Sequence, residues 1–486
     1  MIMGQEKRLV KWLYAINGND GSFRLIPAFR RGRVCVVCRY LDWRPVESSL
    51  KVALVQLGCP KNLVDGEWML GQLRAAGHEL SKDLNAEAVI VNTCGFIDSA
   101  KEESVNAILQ VAELKRSGRA LRLIVAGCMA QRYKDELRRE IPEIDGFIPP
   151  GALSRAVELL ESPSRTVKIA NRVELYDGLA PRVISTPPHL AYVKIAEGCD
   201  NPCTFCPIPS FRGALHSRPP SSILAELASL AEKGVKEAVL IAQDTTAYGR
   251  DLGLKDGLAK LLAAIEENPA PPWIRILYAY PNHLTPELLR VIGQSAKVLP
   301  YLDLPLQHAH PDILAAMGRG GGAKVFLKQI EKARKAIPGL AVRTTFITGF
   351  PGEKREHFKT LEAFVKEARF DHLGVFAYSR EEGTKAHRLG DPVDKRTKQR
   401  RKEALLALQQ DISWDNNRRR VGRVLDVLVE GACDETEHLL QGRAAHQAPE
   451  IDGRVLINDG FATPGAFAKV RVTEAHPYDL VGEIIG

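Results

Sequence analysis

"AYVKIAEGCDNPCTFCPIPSFRG", residues 191–213, passes from a strand-like apolar run straight into Cys199, Cys203 and Cys206. The C-x3-C-x2-C array occupies one tight loop, and three thiolates so close can hold three corners of a cubane iron–sulfur cluster. No fourth ligand is available nearby, which would leave one iron open to a small molecule. Zinc would normally want four protein ligands. Simple packing of three cysteines in a loop with Asn201 and its prolines is the bland alternative.

Outward from this stretch, strand-like runs recur as "EAVLIAQ", "WIRILYA", "YLDLPLQ", "AVRTTFI" and "LGVFAY", several separated by helical patterns such as "SSILAELASLAEKG". About six βα units over residues 185–415 predict an open or partial (β/α) barrel rather than a closed one of eight. The cysteine array then lies at the C-terminal end of the first strand, where such barrels build their active sites.

Upstream, the apolar runs "VALVQL", "AVIVNT" and "LRLIVA" precede Cys59, Cys94 and Cys128, with helical stretches between them. Strands alternating with helices imply right-handed crossovers and a parallel sheet over residues 51–165. All its strands point one way, so the three cysteines share the sheet's carboxyl edge, where open α/β sheets place ligands. Again one ligand is short of four. "APRVISTPPH" (180–189) reads as a linker. Beyond a charged helical stretch, residues 418–486 show short strands and Gly-rich turns ("RVLDVLVEG", "LLQGRAA", "RVLINDG", "FAKVRVTEA"), the pattern of a small antiparallel, OB-like β-barrel. The fold class is thus α/β with a small terminal barrel.

Composition is that of an ordinary soluble chain: 486 residues, 45% apolar and 26% charged, long enough for several domains. No apolar run reaches bilayer length, and the first residues lack the pattern of a secretory signal, so a cytoplasmic location and no membrane partner are expected. Nine cysteines in such a compartment point to metal, catalysis or packing rather than disulfides. Residues 1–50 carry nine Lys/Arg against four Asp/Glu, include Cys35 and Cys38 in a lone C-x-x-C, and read as a poorly ordered extension.

With these residues in view, the array opening a βα-barrel resembles the radical S-adenosylmethionine enzymes. That resemblance implies that the open iron of a [4Fe-4S] cluster on Cys199, Cys203 and Cys206 chelates the methionine part of S-adenosylmethionine. Reductive cleavage then gives a 5′-deoxyadenosyl radical. The words "GCPKNLVDGE", "NTCGFIDSAKEES" and "GCMAQRY" are similar to those of the methylthiotransferase branch, and the likeness runs over about residues 51–486. It implies a second [4Fe-4S] cluster on Cys59, Cys94 and Cys128 that takes part in supplying sulfur, and a TRAM domain at 418–486.

Within that branch, "GCPKN", "NTCGFIDSAKEES", "CTFCPIPSFRG" and "LYAYP" resemble the RimO family, which modifies an aspartate of small-subunit ribosomal protein S-twelve; the alternative is a tRNA adenosine methylthiotransferase. Gly66 departs from the serine common in the family. Residues 418–486 carry eight Lys/Arg against eleven Asp/Glu, a net −3. An acidic barrel suits a basic ribosomal protein better than a polyanion, so tRNA is not expected as partner. The implied reaction replaces a C–H bond at the aspartate β-carbon by C–S–CH3, and an electron donor and a sulfur source are implied as further partners.

The resemblance also places Phe205 near the adenine. Asp244 in "AQDTTAYG" is a candidate polar contact to the cofactor, on a loop after a predicted strand. Gln307 and His308, and the Gly349-Phe350-Pro351-Gly352 turn, lie on comparable loops, with an ordinary loop as the competing reading. The charged run 394–402 reads as a solvated helix face.

Overall fold

The computed structural model describes residues 49–118, 122–161 and 175–485, plus the backbone of two short paired segments, Tyr14–Ile16 and Phe23–Leu25. The rest of the N-terminal extension, with Cys35 and Cys38, lies outside the described residues. Two compact units emerge: one runs to Ser185 and includes Pro207–His216, the other comprises Thr186–Cys206 and Ser217–Gly486.

The first unit is a five-stranded parallel sheet. Its strands are β1 (Lys51–Gln56), β2 (Glu79–Leu80), β3 (Ala88–Thr93), β4 (Arg122–Gly127) and β5 (Gly146–Ile148), in the order β2-β1-β3-β4-β5. Every residue of β3 is buried, as expected where crossover helices cover both faces of a parallel sheet. Helix α1 (Pro60–Ala75) begins on a proline, whose missing N–H costs nothing at that position. Helix α2 (Asp98–Arg116) packs on β3 and β4. Short helices α3 (Cys128–Arg132), α4 (Lys134–Glu140) and α5 (Ala156–Glu161) complete the lobe, and α6 (Ile208–Arg212) belongs to it through the inserted segment.

In the second unit six parallel strands form an open arc. Strands β6 (Leu190–Lys194), β7 (Glu237–Ile241) and β8 (Trp273–Ile276) make one ladder; β9 (Tyr301–Gln307), β10 (Ala341–Thr348) and β11 (His372–Ala377) make another. Between the two runs there is no strand ladder among the described residues; Ala279 N–H donates to Asp303 O at 3.0 Å and Tyr278 N–H to the Asp303 carboxylate at 2.9 Å. Nor do β6 and β11 pair, which leaves the barrel unclosed, as six βα units predict.

Helix α7 (Lys395–Arg418) leads into a closed barrel of β12 (Val424–Cys433), β13 (Thr436–Ala444), β14 (Val455–Asp459), β15 (Phe467–Ala475) and β16 (Leu480–Ile484). Its ladders are antiparallel except β14–β16, which is parallel. Strand β16 is absent from the sequence reading: it is short, and Gly482 interrupts its apolar pattern. Val427, Val429, Val455, Ile457, Val470, Val472 and Leu480 fill the interior.

The barrel is seated by charges at the amino ends of the arc strands. Arg443 contacts Glu237 at 2.6 Å and Glu430 at 2.7 Å, while Arg275 donates to Glu237 at 2.6 Å and to Ala445 O at 2.9 Å. Asp452, whose side chain is wholly buried, accepts from Tyr301 Oη at 2.7 Å and pairs with Arg343 and His372. Trp273 and Phe467 pack alongside as a tilted pair, with ring centroids 4.9 Å apart.

The charged run 394–402 is solvated at Asp394, Lys395, Arg396 and Arg400, but two of its residues correct the sequence reading. Lys398 is buried, donates to Tyr378 O at 3.0 Å and pairs with Asp391; Arg401 pairs with Glu353 at 2.8 Å. The stem of Lys398 occupies the space that a side chain at Gly349 would need. Aliphatic stems of long basic residues pack readily against such surfaces, so this part of the run faces inward.

Candidate functional site

In the first unit the in-register strands β1, β3 and β4 end side by side, with Gln56 opposite Asn92 and Asn92 opposite Ala126. Cys59 follows β1 as the residue preceding α1, Cys94 follows β3 directly, and Cys128 opens α3 after β4. The three cysteines therefore share the carboxyl edge, as their spacing predicts. A Cβ built on Gly58 would lie 3.0 Å from the Cβ of Cys94 and 3.6 Å from its sulfur, which shows how closely the first two loops approach. Gly127 has φ +86°, and a Cβ there would meet Thr93 O at 2.5 Å. Only glycine allows the turn that delivers Cys128.

Cys94 and Cys128 in this recess resist ionisation. Burial, then the neighbouring Cys128 and Cys59, push the Cys94 thiol up to about 12. Burial also raises Cys128, opposed by Arg212. A bound cation relieves such a cost by drawing the ligands into the thiolate form, so the donor set fits an iron–sulfur cluster with three protein ligands.

Polar side chains hold the recess. Asn62, almost wholly buried, donates through Nδ2 to Leu57 O at 2.7 Å and Thr93 O at 3.3 Å. Ser104 accepts from the Cys94 amide at 3.0 Å and donates back to Cys94 O at 3.1 Å. Arg212 binds Asp65 at 2.7 Å and donates to the Cys128 sulfur at 3.2 Å. Sequence reasoning assigned no role to Asp65 or Arg212. Their pairing spans 147 positions, and the only local signal is a lone arginine in an otherwise apolar, proline-bearing "CPIPSFRG".

The second recess lies in the other unit, where β6 ends. The loop carrying Cys199, Cys203 and Cys206 is tied down through Thr204, whose amide donates to Met317 O at 2.9 Å and whose hydroxyl donates to Ala316 O at 2.8 Å. Its carbonyl accepts from Ala386 N–H at 2.8 Å. Arg319 donates to the Cys203 sulfur at 3.5 Å and to Pro305 O at 2.8 Å, with its guanidinium 4.2 Å above the Tyr280 ring. All three cysteines retain partial exposure, so this loop too offers three sulfur donors on a partly open face.

Asp244 is placed beneath the loop. Its carboxylate accepts from Asn201 Nδ2 at 2.8 Å, His283 Nδ1 at 2.9 Å, Thr246 Oγ1 at 2.5 Å and Ala247 N–H at 3.2 Å. Burial disfavours its charge, yet these hydrogen bonds hold the carboxyl below its ordinary range. With its oxygens engaged in this way, Asp244 fixes Asn201 within the cysteine loop. Phe205 is half-buried against Ile313, Met317, Phe350, Tyr378 and Ala386. His308 is fully buried, and its Nδ1 accepts from His310 N–H at 2.9 Å.

A parallel arc with a three-cysteine loop at the carboxyl end of its first strand defines a radical S-adenosylmethionine fold. Comparison with known proteins agrees: the radical SAM superfamily pattern matches residues 193–365, that of uncharacterized protein family UPF0004 matches 51–149, and that of the TRAM domain matches 421–485. The chain is 50% identical to the ribosomal protein uS12 methylthiotransferase RimO of Solibacter usitatus over 445 residues, 90% of this chain and 95% of that one. It is 46% identical to the protein of the same name from Geobacter sulfurreducens, over 90% and 98% of the two chains. The chain belongs to the RimO family. Among solved structures, the radical S-adenosylmethionine methyltransferase TsrM of Kitasatospora setae shares the fold at a TM-score of 0.51 and 15% identity, over 68% of this chain and 75% of that one.

Proposed function

We propose that this chain is a radical S-adenosylmethionine methylthiotransferase that places a methylthio group on the β-carbon of an aspartate in ribosomal protein uS12. The observation that carries the reading is the pair of three-cysteine recesses, each at the carboxyl edge of a parallel sheet. Cys199, Cys203 and Cys206 hold one [4Fe-4S] cluster with S-adenosylmethionine beside it, and Cys59, Cys94 and Cys128 hold the other. These groups supply radical and sulfur chemistry that no side chain provides at an unactivated C–H bond.

The protein's own contribution is placement. Thr204 and Asp244 fix the first cysteine loop from both sides, the latter through Asn201. Arg319 brings a positive charge to Cys203. Phe205, which packs against the cluster that includes Met317 and Phe350, would line the adenine site. The reaction also draws on an electron donor and a sulfur source, and proceeds in the cytoplasm.

Anaerobic reconstitution of the full chain should give about eight irons, two cubanes, and reductive formation of 5′-deoxyadenosine. Cys203→Ala should abolish that cleavage, whereas Cys94→Ala should keep cleavage and lose sulfur insertion. Mass spectrometry of uS12 from a deletion strain should show the missing increment on one aspartate, with tRNA nucleosides unchanged. The reverse pattern, or four irons per chain, overturns the reading.

A further inference from the structure

Arg212 sits six positions after Cys206 in the chain, yet its guanidinium lies in the recess of the other triad. Its Nη1 donates to Asp65 at 2.7 Å, and its Nη2 donates to the Cys128 sulfur at 3.2 Å and to Asn62 Oδ1 at 3.3 Å. The Arg212 side chain is 3% exposed and that of Asp65 fully buried. The orientation of Asn62 is settled by its other contacts: Nδ2 faces the carbonyls of Leu57 and Thr93, at the ends of β1 and β3, which turns Oδ1 towards the arginine.

We infer that Arg212 is a positioning residue for the Cys59–Cys94–Cys128 triad, donating a charged hydrogen bond to the Cys128 sulfur and thereby setting the reduction potential of the cluster held there. This rests on the proposal that the triad binds a cluster. A buried ion pair between Arg212 and Asp65 would by itself be weak evidence for a stabilising role. The third contact, on a sulfur, is what a purely structural pair does not need. Hydrogen bonds and positive charge at ligand sulfurs favour the more negative, reduced cluster, and such outer partners tune potential and affinity. The guanidinium alone has the fork that reaches carboxylate, amide and sulfur together; a lysine ammonium is a single point charge.

The test uses the full chain with Cys199, Cys203 and Cys206 all replaced by alanine, so that only the triad can assemble a cluster. Reconstituted protein is titrated with dithionite, which supplies the single electron taking a [4Fe-4S] cluster from 2+ to 1+, and followed by electron paramagnetic resonance. Arg212→Met alone would change the local net charge and take this partner from the buried Asp65, so it is paired with Asp65→Leu, which removes both charges and leaves the local net charge unchanged. The R212M/D65L cluster should be at least tenfold harder to reduce, a fall of 59 mV for one electron, with iron content kept. R212K, which keeps the charge without the fork, should fall between the two. Should the double variant fail to fold, R212K decides. A potential equal to the parent's in whichever variants fold overturns the inference while leaving the cluster intact. Absence of any cluster in the parent overturns instead the assignment of the triad.

Discussion

Replacing Arg443 by methionine tests how the small barrel is fastened to the arc. The guanidinium is almost wholly buried and makes ion contacts to Glu237 at 2.6 Å and Glu430 at 2.7 Å, and it donates to Gln447 O at 3.2 Å. Removing one partner of a buried pair typically costs about 3–5 kcal/mol, because the other charge is stranded. Here Glu237 keeps Arg275, and Glu430 keeps His189 at 3.9 Å and 23% exposure. The lower end, about 3 kcal/mol, or roughly two decades in the unfolding equilibrium, is therefore expected.

The pH dependence gives a second reading of the same contact. Burial opposes ionisation of Glu430, but Arg443 and His189 outweigh it and hold the carboxyl at about 2, against an ordinary 4.5. A carboxylate depressed in the fold stabilises above its unfolded pKa and loses that contribution as pH falls. The wild-type chain should therefore lose stability between pH 4.5 and 2 through this group, and the variant should lose less. The assay is urea unfolding of the metal-free full chain at pH 7 and at pH 4. It is followed by emission from Trp273 at the same seam, with the other four tryptophans changed to phenylalanine. A change below about 1 kcal/mol at pH 7 would refute the buried-charge reasoning.

Three further outcomes follow from local geometry. Gly127→Ala forces a Cβ onto Thr93 O at positive φ, so it should cost about 1–3 kcal/mol and lower iron uptake by the triad, read from the thermal midpoint and from iron analysis. Gly66→Ser should stay within about 1 kcal/mol of wild type. The serine gains roughly 0.5 kcal/mol of helix propensity, but displaces the flexible end of Gln56 and loosens its 2.9 Å bond with Asn92. Asp244→Ala leaves Asn201, His283 and Thr246 without their shared acceptor, so a loss of about 2 kcal/mol is expected. Calorimetry should show it, along with slower formation of 5′-deoxyadenosine.

Much of this arrangement is legible in the sequence. Cys59, Cys94 and Cys128 recur at one βα period, and that period alone places them on one sheet edge. The apolar runs marked the arc strands, because the first three are almost wholly buried and the later ones still turn apolar residues inward. Interactions that depend on distant partners escaped. Arg212 meets Asp65 across 147 positions, and no local pattern records that. Lys398 looked solvated because a helix pattern cannot reveal a glycine hollow on a different element. Strand β16 escaped because its partners, rather than its own five residues, define it.

The segment Pro207–His216 gives the first lobe a second piece of chain, spliced into the middle of the other lobe's sequence. The two lobes are consequently not interchangeable cassettes. A gene fragment ending at residue 185 would encode Asp65, Asn62 and Cys128 without the arginine that bonds all three. Any recombination that swaps one lobe must carry ten codons from within the other. Inheritance of the two halves is thereby tied together at the level of the gene.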